Sequence, residues 1–192
     1  MSPDSKRRTR ADASRNVALL VAAAHELVAE AGNEVALDEV ARRAGVGNAT
    51  LYRHFPTRAD LLVAVYADEV TALCQRGAEL LDAPSPLDAL FAWLDEFVVH
   101  VATKRPLALA ATESPSGRRT QLFDEWHASI TATAADLVRR ARPVLRPDVT
   151  ATDALTFASG AALATDMAGA RRLVALMRTG VAARQSGPAT RR

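Results

Sequence analysis

The stretch 37–56 sets the tightest limits on what this chain can fold into. Leu37, Val40 and Ala41 recur at helical spacing, while Asp38, Glu39, Arg42 and Arg43 fall on the other side, which predicts a short helix over about 37–44. Gly45-Val46-Gly47 breaks it, and a very short helix follows over about 48–55. Pro56 closes that helix, because proline cannot continue a hydrogen-bonded ladder. Ala41 and Ala44 are small enough for two helices to cross closely, and Gly45 permits the sharp turn between them. Leu51 and Phe55 lie four apart on one face and, with Val46, seat the second helix in a core. The face left outward carries Asn48, Ala49, Thr50, Tyr52, Arg53 and His54.

The rest of the chain keeps helical period, and no segment alternates with strand period over a useful length, so an all-α fold is expected. Leu19/Leu20, Ala23, Leu27 and Ala31 predict a first helix from Arg15 to a stop at Gly32. A longer helix over about 58–81 has Leu61/Leu62, Val65, Leu73 and Leu80 as its stripe. After Pro84-Ser85-Pro86, where separate packing of a second domain is expected to begin, Leu87, Leu90/Phe91, Leu94, Phe97/Val98 and Val101 mark a helix that Arg105-Pro106 should end. A turn of helix over 107–112 precedes a loop around Pro115-Ser116-Gly117. Leu122/Phe123, Trp126, Ile130, Ala134 and Leu137/Val138 mark a further helix that stops before Pro143. Asp148 or Thr150 caps the next, which runs to about Asp166, and 171–182 is the last. The expected organisation is a disordered basic arm over 1–12, a three-helix unit over 13–57, a helical domain over 58–184 and a disordered tail over 185–192.

Composition removes several classes of function. Cys74 is the only cysteine, so no disulfide forms within the chain; it reads as a small buried apolar group in a reducing compartment. The basic start runs into alanines broken by His25, Glu26 and Glu30, unlike a signal peptide. No apolar run approaches the ~20 residues of a membrane span, so a cytoplasmic, nucleoid-associated protein without a membrane partner is expected. No G-x-S-x-G, glycine-rich phosphate loop or metal-ligand pair points to an enzyme, and no cofactor or metal is called for. Net charge is only +2, yet its pattern is uneven. Lys6, Arg7, Arg8, Arg10 and Arg15 cluster, as do Arg42, Arg43, Arg53 and Arg58, with Glu26, Glu30, Glu34, Asp38 and Glu39 between the groups. Brought to one surface with the acids turned away, the two basic groups would suit a polyanion.

A helix that enters the DNA major groove must be narrow at its tip, firmly seated and polar outside. Residues 48–54 meet each demand, offering donors, acceptors, a small methyl and an aromatic hydroxyl to base edges and phosphates. The alternative is a helical interaction module that uses the same unit as scaffold. The run Val40-Ala-Arg-Arg-Ala-Gly-Val-Gly-Asn-Ala-Thr-Leu-Tyr-Arg-His-Phe55, followed by Arg58 and Leu61, closely resembles the DNA-binding domain of TetR/AcrR-family transcriptional regulators. Arg15-Asn16, Leu20, Ala23-Ala24, Leu27 and Glu30-Ala31-Gly32 fit that family's first helix, and the resemblance covers about 13–75. The region 153–180 is similar to the final helices of actinobacterial members, and 22 arginines against two lysines agree with a GC-rich genome.

The resemblance implies roles. Tyr52 and His54 match the phosphate-holding pair of the recognition helix, Thr50 a position at phosphate or a thymine methyl, and Asn48 and Ala49 the variable base-facing positions. Arg53 would add a guanine or phosphate contact, Arg58 a phosphate contact at a helix start, and Arg42 a contact from the second helix; Arg15 belongs to the same DNA-binding set. Two departures stand out: Ala36 and Gly47 replace the hydroxyl residues that usually cap the second and third helices. The family further implies a homodimeric repressor on a pseudo-palindromic operator, joined through the last two helices and released by a small-molecule inducer. On the residues themselves, Trp93, Phe97 and His100 share one helix face, and Phe123, Trp126 and His127 another, so either group could line an apolar pocket or simply pack as core. His100, His127, Glu113 and Asp124 lack the spacing of a metal site. Small side chains at Leu155, Ala158/Ser159, Ala162 and Leu163/Asp166, with Leu173, Leu176/Met177 and Gly180, suggest a four-helix seam with a second copy.

Overall fold

The computed structural model describes residues 3–31, 35–112 and 117–182, with side chains at 12–28, 30, 35–103 and 122–182. The described chain is helical: α1 (Pro3–Ala31), α2 (Leu37–Ala44), α3 (Asn48–His54), α4 (Arg58–Leu80), α5 (Pro86–Thr112), α6 (Gly117–Ala141), a 3-10 turn (Arg142–Val144), α7 (Ala151–Ala164) and α8 (Met167–Val181). Among these residues no helix is long and apolar enough to cross a membrane. Two compact units result. Residues up to 69, with 106–112, make the first; residues 70–105, with 117–182, make the second. The division therefore falls inside α4 and α5.

The core of the first unit takes Leu20, Ala24 and Leu27 from α1, Val40 and Ala41 from α2, Leu51 and Phe55 around α3, and Leu61 and Val65 from α4. Removing each large apolar side chain from water contributes about 1.5–3 kcal/mol, which is how helices as short as α2 and α3 persist. Gly45 ends α2 at φ +65°, a conformation that side-chain-bearing residues rarely adopt. Its N–H donates to the Arg42 carbonyl (3.3 Å) and that of Val46 to the Ala41 carbonyl (3.0 Å), the Schellman arrangement that turns the chain sharply into α3. Thr57 and Asp60 start α4: the Asp60 N–H donates to the threonine hydroxyl (3.2 Å) and the Thr57 N–H to the carboxylate (3.1 Å). From α1, His25 Nδ1 lies 3.1 Å from Glu69 and Nε2 3.4 Å from Asp68 on α4.

In the second unit Trp93 is fully buried, and its indole N–H donates to the Leu73 carbonyl at 2.9 Å. Gly77 lets α4 approach here: a Cβ added to it would meet Thr133 Cγ2 at 2.1 Å and Trp93 Nε1 at 3.0 Å. Arg140 from α6 donates to the Leu80 and Ala83 carbonyls, adding to the Ala83 N–H that the Leu80 carbonyl already accepts (3.2 Å) and so reinforcing the turn after α4. Thr150 and Asp153 form a capping box on α7, and Asp166 caps α8 by accepting from the Gly169 N–H at 2.7 Å.

Several boundaries differ from the sequence expectation. Residues 3–12, expected as a disordered arm, are the first turns of α1. Their arginines, lysine and alanines are good helix formers, and Pro3 sits where no N–H is required; only a buried face, not helicity, needs apolar periodicity. Pro106 does not end α5, which runs on to Thr112, although the compact units divide between 105 and 106. A proline removes one ladder hydrogen bond, which a long helix survives. Of the two caps offered for α7, Thr150 is the one used; that helix, expected to run to about Asp166, ends at Ala164, and Asp166 caps α8. The Gly32 stop, the Pro115-Ser116 loop and the tail over 185–192 lie outside the described residues.

Candidate nucleic-acid interface

α3 is held by its buried side. Leu51 is fully buried and Phe55 nearly so, while Asn48, Ala49, Tyr52 and Arg53 are exposed and Thr50 and His54 half-buried. His54 is turned against Phe55, with ring centroids 6.5 Å apart, and its Nε2 is shielded from solvent with no hydrogen-bond partner. That nitrogen is therefore not presented on the free side of α3.

Tyr52 and the exposed Arg58 come together at an open concavity of about 620 Å³, whose other walls are Val35, Ala36, Leu37 and Asp38. The wall at 36–38 is the start of α2. Ala36 supplies no side-chain cap; its carbonyl accepts from the Glu39 N–H (3.1 Å) and the Val40 N–H (3.2 Å), and the positive end of the α2 dipole stands at this wall. An N-terminal helix end, an arginine and a phenol in one concavity are chemically suited to an anion. The other expected residues of the set (Arg15, Arg42, Asn48, Ala49, Thr50, Arg53 and His54) do not line this concavity.

The acids are not turned away as expected. Glu39 holds Arg42 by two hydrogen bonds, Nε to Oε2 at 2.8 Å and Nη2 to Oε1 at 2.5 Å. Glu30 takes both Arg43 guanidinium nitrogens at 2.7 and 3.0 Å, with Glu26 3.7 Å away. The hydrogen bond from Arg43 holds the Glu30 carboxyl below its usual range, and that from Arg42 does the same for Glu39. Tyr52 donates its hydroxyl to Asp38 Oδ1 at 3.2 Å, and the charge on Asp38 pushes the phenol pKa up. Among the described residues, Arg15, Arg53 and Arg58 are cations of this unit that form no ion pair. Sequence reasoning missed the part played by Asp38 because the pairing joins residues 14 apart on two different helices; only the crossing of α2 and α3 brings them together.

In the second unit, Trp93 stacks on Phe97 (5.7 Å) and Phe97 on His100 (6.4 Å). Trp93 is core, its one polar group already spent on a backbone carbonyl. Burial, and secondarily the neighbouring His127, push the His100 pKa down to about 4, so this ring is neutral at pH 7. Phe123 and Trp126 meet edge to face at 5.1 Å and are half-buried; His127 is exposed, with Nδ1 2.7 Å from the Phe123 carbonyl. Among the described residues no three His, Cys, Asp or Glu side chains gather as metal ligands; Glu113 lies outside them.

Comparison with known proteins places this architecture. The family model for bacterial regulatory proteins of the tetR family matches residues 20–65, and that for the C-terminal domain of SbtR-like transcriptional regulators matches 85–183. A TetR transcription regulatory protein from Mycobacterium vanbaalenii is 31% identical, with a TM-score of 0.72 over 91% of this chain and 99% of that one. A TetR transcriptional regulator from Streptomyces coelicolor is 34% identical, with a TM-score of 0.66 over 86% of this chain and 98% of that one. A SmeT–triclosan complex, 16% identical with a TM-score of 0.59 over 89% and 93% of the two chains, shares the fold. Curated protein sequences give no match. With both halves matched in order and along nearly the full length of solved relatives, the chain belongs to the TetR family of bacterial transcription regulators, which bind DNA through a helix-turn-helix.

Proposed function

We propose that this regulator is a cytoplasmic homodimeric repressor that holds a pseudo-palindromic operator and leaves it when a small molecule binds the second domain. The observation that carries the reading is the seating of α3, which buries Leu51 and Phe55 and presents Asn48, Ala49, Tyr52 and Arg53 on its free side. In this assignment 13–57 is the reading head and 58–184 the ligand and dimer domain. Tyr52 and Arg58 hold phosphate at the α2 terminus; Asn48, Ala49, Thr50 and Arg53 face bases, and Arg15 adds a backbone contact. Arg42 contacts DNA only by leaving Glu39, and His54 acts through the edge of its ring opposite Nε2.

The ligand reading rests on aromatic groups with few polar ones: Phe97, His100, Phe123, Trp126 and His127, with Trp93 as their packing support. A SmeT structure contains triclosan; for this chain, aromatic groups with few polar ones suit a mostly apolar ligand with one hydrogen-bonding group. Ligand binding would favour a state whose reading heads fit DNA poorly, and affinity would fall by the ligand's differential preference for that state.

Titration of genomic fragments from the protein's own locus tests the core of this reading. Binding should weaken with salt by about 0.9 log units per phosphate contact per log unit of salt, and Arg58→Ala should lower that slope by about 1. Retention of no DNA from a genomic library, or an Arg58→Ala slope equal to wild type, would overturn it.

A further inference from the structure

Tyr52 cannot give its single hydroxyl proton to two acceptors at once. In the free protein the proton goes to Asp38 Oδ1, 3.2 Å away, at the concavity that Arg58 and the α2 terminus also wall. Asp38 is exposed and, among the described residues, forms no ion pair, unlike Glu30 and Glu39. A phosphate entering the concavity would meet Arg58 and the helix end as attraction, and Asp38 as repulsion. It would also meet a phenol whose donor is already committed.

We propose that Asp38 is a positioning residue that competes with the DNA phosphate for the Tyr52 hydroxyl and so sets the regulator's affinity for DNA below what its donors alone would give. The inference rests on the assignment of Tyr52 as a phosphate contact. In the free state the Asp38 hydrogen bond holds the Tyr52 hydroxyl at the concavity. On binding, the hydroxyl rotates from carboxylate to phosphate, and the two anions face each other across the concavity. Phosphate contacts carry no sequence information, so the competitor weakens specific and non-specific binding alike. That suits a regulator that must let go: an allosteric signal changes affinity by a limited factor, and it empties the operator only if the starting affinity is moderate.

A double-mutant cycle in the full-length protein tests this. Operator-fragment affinity is measured at several salt concentrations for wild type, Asp38→Asn, Tyr52→Phe and the double variant. Asp38→Asn is expected to tighten binding about five-fold at moderate salt, the size of an exposed charged contact, and Tyr52→Phe to weaken it. In the Tyr52→Phe background the Asp38→Asn gain should shrink to about two-fold or less, since only through-space repulsion remains to be removed. The ultraviolet titration of Tyr52, assigned by difference against Tyr52→Phe, should move down in Asp38→Asn, because the carboxylate is what raises it. Asp38→Ser, which suits a first helical turn, repeats the measurement if the asparagine variant misfolds. Equal gains in both backgrounds, or no gain, overturn the competition while leaving the phosphate role of Tyr52 standing. Unchanged affinity in Tyr52→Phe overturns that role, and the proposal with it.

Discussion

His100 shows how a single side chain departs from what its type suggests. It is 8% exposed, stacked on Phe97, with His127 adding a second imidazole nearby, and its folded-state pKa is down to about 4. In an unfolded chain a histidine titrates near ~6.5. The unfolded state therefore binds the extra proton first as pH falls. The stabilising preference for the neutral ring is complete above about 6.5 and drains away between there and about 4, amounting to roughly 3 kcal/mol over that window. Urea denaturation at a series of pH values should show this slope, and His100→Gln should flatten it; parallel curves would mean that other groups carry the acid sensitivity. Trp93 was legible as apolar and helical, yet the sequence could not tell pocket wall from core. The deciding fact is that its N–H meets the Leu73 carbonyl, a contact between two helices 20 residues apart.

Among the elements, α2 combines the strongest internal signal with the weakest start. Its acids Asp38 and Glu39 stand in the first turn and Arg42 and Arg43 in the last, each the sign that the helix dipole favours there. Its Schellman end was legible from Gly45 alone. Its beginning was legible too: Ala36 is the extended N-cap residue, φ −77° and ψ 133°, and contributes no side-chain hydrogen bond. That backbone is already shaped for a hydroxyl cap. Ala36→Ser should then raise the stability of the first unit by about 1 kcal/mol, read as a higher thermal midpoint, whereas Gly47→Ser on α3 should add only a few tenths of that figure. A fall in the midpoint for Ala36→Ser would show that the concavity cannot accommodate the hydroxyl. Other helix boundaries were much less legible. The start of α1 has no apolar pattern in the sequence to announce it, and at Pro106 the sequence offers a helix breaker that α5 nevertheless passes through.

At the scale of the whole molecule, the proposed dimer depends on which side of α7 and α8 is free. The small-residue stripe read from the sequence turns out to face its own chain in part: Ala158 is fully buried and Ala162 nearly so, packed within the second unit. Alanines at helical spacing permit close packing but do not say against which neighbour. The large apolar groups left exposed on these helices are Phe157 (41%), Leu163 (54%) and Leu176 (58%), which a monomer would hold in water without return. Burying them against a second copy, by the two-fold exchange that makes most homo-oligomers, is the arrangement these exposures favour. Leu163→Glu with Leu176→Glu should therefore convert a species of about twice 20.5 kDa into one of 20.5 kDa in sedimentation equilibrium, with helical content unchanged. Separating the two reading heads removes the gain from holding both half-sites at once, so operator affinity should drop by about 100-fold or more, while binding to an isolated half-site stays as it was. A variant that remains dimeric would move the interface elsewhere on the chain. A wild type that is monomeric and still binds the full operator tightly would remove the two-fold model altogether.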